Sequence, residues 1–503
     1  MDLMAYKGNP EPFGSTDDVE IAEGWVAVPL RDVADSRKGK KPLQVRDRSW
    51  PEAVPYVDIE MLETGNPRRY ADPKSSVLVK AGDVVVVWDG ARCGLARRVP
   101  MDGSLGSTLA KIAIPFVNNA YVLRFLESCF EIVNSDPRGT GIPHVDPALF
   151  WNLKIPLCPI AEEKRIVATI EGLIDRVNAC RSRLVKAGTI LKRFRQAVLA
   201  AACSGRLTDD WRANHSDIES GADLLLRIKQ LRLESAQTKK DRAQVVLAFE
   251  DRDLKSTSDN PQFADIPDSW TACQVGTIGS VCSGSTPSRK HPEYWGGGGI
   301  PWVSSGEVRN NVISETRERI TKDGYDSCSV RLLPRGTVLI AMIGEGKTRG
   351  QSAILDIEAT TNQNIAAILL GHGFVASKFL CYWFQLQYEA TRQEGSGSGP
   401  QALNCQGVRE LPFVLPPFEE QHEIVRRVEA LFNMADAIEK RIAAAAKRAE
   451  KLTQAILAKA FRGELVPTEA ELARRESREY EPASALLDRI RLGRETKQAA
   501  AIA

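Results

Sequence analysis

The chain is 503 residues long and carries 67 basic against 65 acidic side chains, a net charge of +2. That length leaves room for two to four domains, each with its own core, and the near-neutral balance neither demands nor forbids a nucleic-acid partner. The ten cysteines stand singly with no CxxC spacing, which leaves no disulfide framework or zinc ribbon and suits reduced, buried thiols.

Residues 1–20 are polar and form a flexible lead-in without the apolar run of a signal peptide. No later stretch approaches the ~20 apolar residues of a membrane span, so the expected location is the cytoplasm. A first α+β domain is expected over 21–158. It has strand-like runs at Val77–Val79 and Val84–Trp88, a helix-like stretch around Tyr121–Val133, and turn signals at Ala81-Gly82-Asp83 and Asp89-Gly90. A long helix follows over 159–207, then a short amphipathic helix and polar linker over 208–262. A second α+β domain over 263–416, a second long helix over 417–465 and a tail helix over 466–503 complete the chain.

The two long helices are one sequence carried twice. Pro159 falls on Pro417, Glu162 on Glu420, Glu171 on Glu429, Arg183 on Arg441, Gln196 on Gln454 and Gly205 on Gly463, all at one offset. Apolar residues recur at alternating steps of four and three: Ile166, Ile170, Leu173, Val177, Cys180, Leu184, Ala187, Leu191, Phe194, Val198 and Ala201 in the first copy. The second runs Ile424, Val428, Leu431, Ala435, Ile438, Ile442, Ala445, Ala449, Leu452 and Ile456. This is a heptad seam. Each copy begins after proline with acids in its first turn and stops at glycine. Each is thus a helix of about 43 residues, roughly 65 Å long at ~1.5 Å per residue. The middle domain is tied to the end of one helix and the start of the other. An antiparallel pair brings those two points together, whereas a parallel pair separates them by a helix length.

The domains repeat more loosely. IAEGW at 21–25 matches IPDSW at 266–270, Pro42 falls on Pro287, VPYVDIE at 54–60 resembles IPWVSSG at 300–306, and AGDVVVVWDG at 81–90 resembles RGTVLIAMIG at 335–344. A tandem duplication whose helices stayed alike while its domains diverged implies one shared task for the helices and two different tasks for the domains.

Glycine-rich turns (GTGIPH at 139–144, GSGSGPQALN at 395–404) precede short apolar strands ending in proline. An acidic pair and a long helix closing on AxLxxAxxGxL follow. With PPFEEQHEIV and AILAKAFRGEL as the most specific stretches, this pattern resembles the specificity subunit of type I restriction–modification enzymes over nearly the whole chain. The first copy departs from it, with IAEEKRIV for the EEQ region and CSGRL for FRGEL. The resemblance implies two target-recognition domains in a pseudo-two-fold arrangement, joined by two long helices forming an antiparallel coiled coil. Each domain would read half of a bipartite double-stranded DNA site, while the helices set the spacing and carry two methyltransferase subunits. Two motor-nuclease subunits would complete the restriction complex. The chain itself would catalyse nothing and bind no cofactor; S-adenosylmethionine, ATP and Mg would belong to the partners. The alternative from another class is a coiled-coil scaffold whose domains bind proteins.

The DNA-facing candidates are basic and polar loops: Arg37, Lys38, Lys40, Lys41, Arg46, Arg48 and Arg92 in the first domain, and Ser285, Thr286, Arg289, Lys290, Lys347, Arg349, Asn362 and Gln363 in the second. Lysine chiefly neutralises phosphate, whereas arginine, asparagine and glutamine can also form bidentate pairs with base edges. Trp50, Trp295 and Trp302 are expected in the core. The repeated surface residues Glu162, Glu171, Arg183, Gln196, Glu420, Glu429, Arg441 and Gln454 are the candidate contacts to methyltransferase subunits. Three enzymatic motifs are excluded. AMIGEGKT at 341–348 fits a permissive P-loop, but RGQSAIL returns to strand where a helix is required. DNPQF at 259–263 lacks the second proline and cofactor loop of an adenine methyltransferase, and the five histidines lie far apart, without metal-ligand spacing.

Overall fold

The computed structural model describes residues 21–135, 143–249, 266–344, 347–393 and 403–502. The lead-in 1–20, DNPQF and most of the two glycine-rich turns lie outside them. The chain divides into two compact units, residues Met1–Lys186 with Ile442–Ala503, and residues Ala187–Arg441. The long helices span Ile160–Cys203 and Phe418–Phe461, 44 residues each. Each gives its first part to one unit and its second part to the other.

In the first unit, Val26–Pro29 pairs antiparallel with Lys154–Leu157, the strand that leads into the first long helix. The central sheet has four antiparallel strands, in the order Asp35–Lys38, Leu109–Ala113, Val84–Val87, Ala96–Arg98. The continuous apolar run of Val84–Val87 is explained by burial on both faces. Val84 and Val86 pack with Ile112, Tyr121 and Phe125 under helix Asn119–Ser128, while Val85 and Val87 pack with Met61, Leu105 and Leu109. A second sheet, of five short strands, carries Val54–Val57 parallel to Gly103–Leu105. The end of the second long helix plugs the core. Phe461 meets Tyr121 and Phe125 edge-on, with ring centroids 5.2 and 5.6 Å apart. Leu486, Leu487 and Ile490 of the tail helix close the other side.

The second unit repeats this plan. Thr271–Gln274 pairs with Pro412–Leu415. The central sheet runs Ser280–Ser283, Ile365–Leu369, Val338–Ala341, Ser352–Leu355, Asn311–Ile313. Val338 and Ile340 face one core, Leu339 and Ala341 the other. Ile300–Val303 lies parallel to Thr360–Thr361, as Val54–Val57 lies to its partner. On either side of AMIGEGKT the described strands pair antiparallel, Val338–Ala341 with Ser352–Leu355, and Ile340 lies opposite Ser352. No helix begins at Lys347.

Within each unit the two helical segments run antiparallel. Arg181 donates to the Ala449 carbonyl and Arg165 to that of Pro467 in the first unit, and in the second Arg195 bridges Asp436 and Glu439. The fold is two mixed α+β domains joined by two long packed helices. The seam departs from a strict heptad. Cys180 is exposed rather than buried, and Ile438 and Leu452 are 39% and 43% exposed. Near its start each helix buries a wider face, against a domain as well as its partner, so Ile174 joins Ile170 and Val177 in the core. Farther on, an α-helix drifts ~20° per heptad from a 3.5 repeat.

Candidate nucleic-acid interface

Both domains are anchored to their helices by the same buried bond. Trp25 Nε1 donates to Glu162 at 2.9 Å, and Trp270 Nε1 donates to Glu420 at 2.9 Å. Both glutamates are fully buried, which corrects their expected place on a partner-binding face: they recur because IAEGW and IPDSW recur. The helix-ending glycines serve the same junction. Gly205 and Gly463 are left-handed, φ +78° and +77°. A Cβ on either would sit 2.4 Å from Pro267 or Ala22, in the first residues of each domain.

The two anchors differ electrostatically. Glu420 takes the guanidinium of Arg212 at 2.9 Å and the Thr208 hydroxyl at 2.7 Å. Among the described residues Glu162 has only the Trp25 indole and the Glu469 amide, 2.8 Å away, as hydrogen-bond donors, and burial pushes its carboxyl above the usual range. Its neighbour Glu163, buried against the Asn118 amide at 2.8 Å, is pushed up by burial to about 7.

The other repeated helix residues divide. Glu171 and Glu429 are half-buried and face their own domains, paired with Arg98 (3.8 Å) and with Lys378. Arg183, Gln196 and Arg441 are exposed; Gln454 is half-buried.

The basic residues of the first domain lie on the edge strands of its two larger sheets and in the loops beside them. Arg37 and Lys38 lie on the edge strand Asp35–Lys38, and Arg46 lies on the strand Val45–Arg46. Lys40, Lys41 and Arg48 occupy the connecting loops, all exposed. Lys38 pairs with Asp89 at 3.0 Å, and Asp89 also binds His144 Nδ1 at 2.8 Å. Arg92, on the hairpin after Val87, pairs with Glu63. Among the described residues Arg37, Lys40, Lys41, Arg46 and Arg48 form no salt bridge.

The second domain keeps fewer of its candidates at the surface. Arg349 is buried, 8% exposed, where the hairpin turns back into the sheet, and Asn362 is 8% exposed with its side chain capping the Asn364 amide. Both expectations are corrected: neither side chain is exposed, and that of Asn362 caps a turn. Thr286 donates to Gln363, 2.5 Å away, and the backbone amide of Ser285 donates to the Thr361 carbonyl. Arg289 grips Glu318 through both terminal nitrogens at 2.5 and 2.9 Å and stacks 3.6 Å over Trp295. The pair holds the Glu318 carboxyl below the usual range. Lys290 and Lys347 are exposed. Trp302 is core, whereas Trp50 and Trp295 are half-buried. Sequence reading passed over Arg317 and Arg319, exposed on either side of Glu318; the alternation in TRERI was the available signal.

The molecule is thus a duplicated pair of α+β domains with charged edge loops. Among the described residues no cluster of His, Cys, Asp or Glu could hold a metal ion, and no helix is long and apolar enough to cross a membrane. The family described as "Type I restriction modification DNA specificity domain" matches twice, over residues 22–184 and 267–448. The chain belongs to that family, as a non-catalytic specificity subunit. It is 27% identical to the StySPI specificity subunit of Salmonella potsdam over 475 residues, 89% of this chain and 90% of that one. It is also 27% identical to the EcoBI specificity subunit of Escherichia coli, over 89% and 87% of the two chains. Among solved structures, it matches the HsdS subunit of Thermoanaerobacter tengcongensis over 88% of its length and 98% of that chain, with a TM-score of 0.50 at 20% identity. A chain from a study of assembly and conformational transition of the type I system matches over 88% and 99%, with a TM-score of 0.59 at 21% identity.

Proposed function

We propose that this chain directs a type I restriction–modification complex in the cytoplasm to a bipartite double-stranded DNA site, each domain reading one half. The observation that carries this reading is a shared frame with different surfaces. Gly39 and Gly284, and Pro42 and Pro287, hold matching loops, yet the first displays Lys40, Lys41, Arg46 and Arg48 and the second Ser285, Thr286 and Lys290. Arg37, Lys38 and Arg92 in one domain, and Arg289, Lys347 and Gln363 in the other, complete the proposed surfaces. Methylation and ATP-driven cleavage belong to two methyltransferase and two motor-nuclease subunits, which hold S-adenosylmethionine, ATP and Mg.

The exposed helix residues Arg183, Gln196 and Arg441, with Gln454, Glu171 and Glu429 beside them, supply the methyltransferase contacts. Reversing Arg183 and Arg441 to Glu should remove methyltransferase subunits in native mass spectrometry while the chain stays folded; unchanged stoichiometry contradicts the assignment. The DNA reading is tested by salt titration of duplex binding. Each phosphate contact adds ~0.9 to the slope of log K against log salt. Lys40→Gln with Lys41→Gln should therefore lower the assembled complex's slope by about two. An unchanged slope would take this loop off the DNA.

A further inference from the structure

Leu43 is 93% exposed, more than any other large apolar side chain among the described residues. Single exposed leucines are ordinary, so exposure alone carries nothing. The loop that bears it is not ordinary, because it is pinned on every side. Gly39 donates to the Leu109 carbonyl at 2.9 Å and lies where a Cβ would come within 2.1 Å of the Gly106 oxygen. Pro42 is buried. The Leu43 amide donates to Ser75 Oγ at 3.1 Å, the Gln44 carbonyl accepts from Asp72 at 3.2 Å, and Val45 pairs with Ala71. The backbone is held while the side chain projects freely, among Lys40, Lys41, Arg46 and Arg48.

The second domain supplies an internal control. Gly284 makes the same close approach, its Cβ position 1.9 Å from the Thr361 oxygen, and Pro287 is buried in turn. Counting from these two landmarks, the position of Leu43 is taken by Ser288, whose hydroxyl accepts from the Lys290 amide at 3.4 Å. One frame presents an apolar tip in one domain and a polar tip in the other. A leucine side chain neither donates nor accepts a hydrogen bond. On the base edges of the major groove, the apolar group that distinguishes one base from another is the thymine C5-methyl.

We propose that Leu43 is a specificity-determining residue of the first domain, packing against a thymine methyl in its half-site. This rests on the DNA-reading function above. The test uses the assembled complex and duplexes bearing its own motif, with each thymine of the first-domain half-site replaced singly by deoxyuridine, which removes only the methyl. For the wild type, one replacement should weaken binding about fourfold, the scale of one buried methyl group. Leu43→Ala should bind all these duplexes alike, with unchanged thermal unfolding. The proposal is overturned if that half-site has no thymine on either strand, if no replacement matters, or if Leu43→Ala keeps the wild-type sensitivity. A complex that does not prefer its own motif over unrelated duplex would instead sink the DNA reading itself.

Discussion

Glu162 and Glu163 sit side by side in the first turn of the first long helix, both buried, and among the described residues neither hydrogen-bonds to a cationic side chain. For Glu163 the folded carboxyl titrates near 7, above its ordinary value of 4.5, because burial disfavours its charge. A raised carboxyl favours the protonated folded state. Its contribution is full below about pH 4.5 and is lost as pH rises through about 7. Glu163→Gln keeps an acceptor for the Asn118 amide and removes the titration. The variant should flatten the fall in stability of the first unit between pH 4.5 and 7, by about 1–3 kcal/mol. Urea unfolding at pH 5 and 8 checks this, and parallel pH profiles for variant and wild type would contradict it. The second unit behaves oppositely at Glu423, held down to about 2 first by Arg426 and then by Arg427, so its contribution is lost as pH falls below 4.5. The recurrence of Glu162 and Glu420 was legible in the sequence, but its cause was not. A surface contact and a buried bond repeat equally well, and the bond partner Trp25 lies 137 residues away. Asn362 misled for a related reason: turns at sheet ends use the same side-chain amide as base readout.

At the scale of elements, the long helices were legible because period, start and stop signals agree: acids in the first turn, glycine at the end, a continuous apolar stripe between. The buried strands were legible as apolar runs, and VPYVDIE and IPWVSSG do occupy equivalent strands, parallel to Gly103–Leu105 and Thr360–Thr361. The departures at Cys180, Ile438 and Leu452 were not legible. A heptad count cannot say where a helix leaves a domain and has only its partner to lean on. Both helices run unbroken from one unit into the other, which makes their length the expected measure of the gap between half-sites. Four residues inserted between Ala187 and Leu191 add about 6 Å at ~1.5 Å per residue and about one turn, keeping the apolar face in register. The recovered motif should keep both halves and gain one or two base pairs between them, at ~3.4 Å per pair. Methylation sequencing reads the result. An unchanged gap with intact activity would mean that these helices are not the ruler.

For the whole molecule, the duplication carries the argument. Each unit contains a domain, the start of the helix that follows it, the end of the other helix, and the tail after that end. Each is locked by a tryptophan–glutamate bond and a left-handed glycine. The paired terminal strands, the twice-buried central strand and the helix junction are common to both units, whereas their exposed loop chemistry differs. On the proposed reading, recognition is divided along that line. Replacing residues 21–155 with the corresponding domain of a relative, leaving both helices and the second domain intact, isolates it. Methylation sequencing of a genome modified by the chimeric complex should show one half of the motif changed, with the other half and the gap as before. If both halves change together, or neither does, the two domains do not read DNA independently and the account fails.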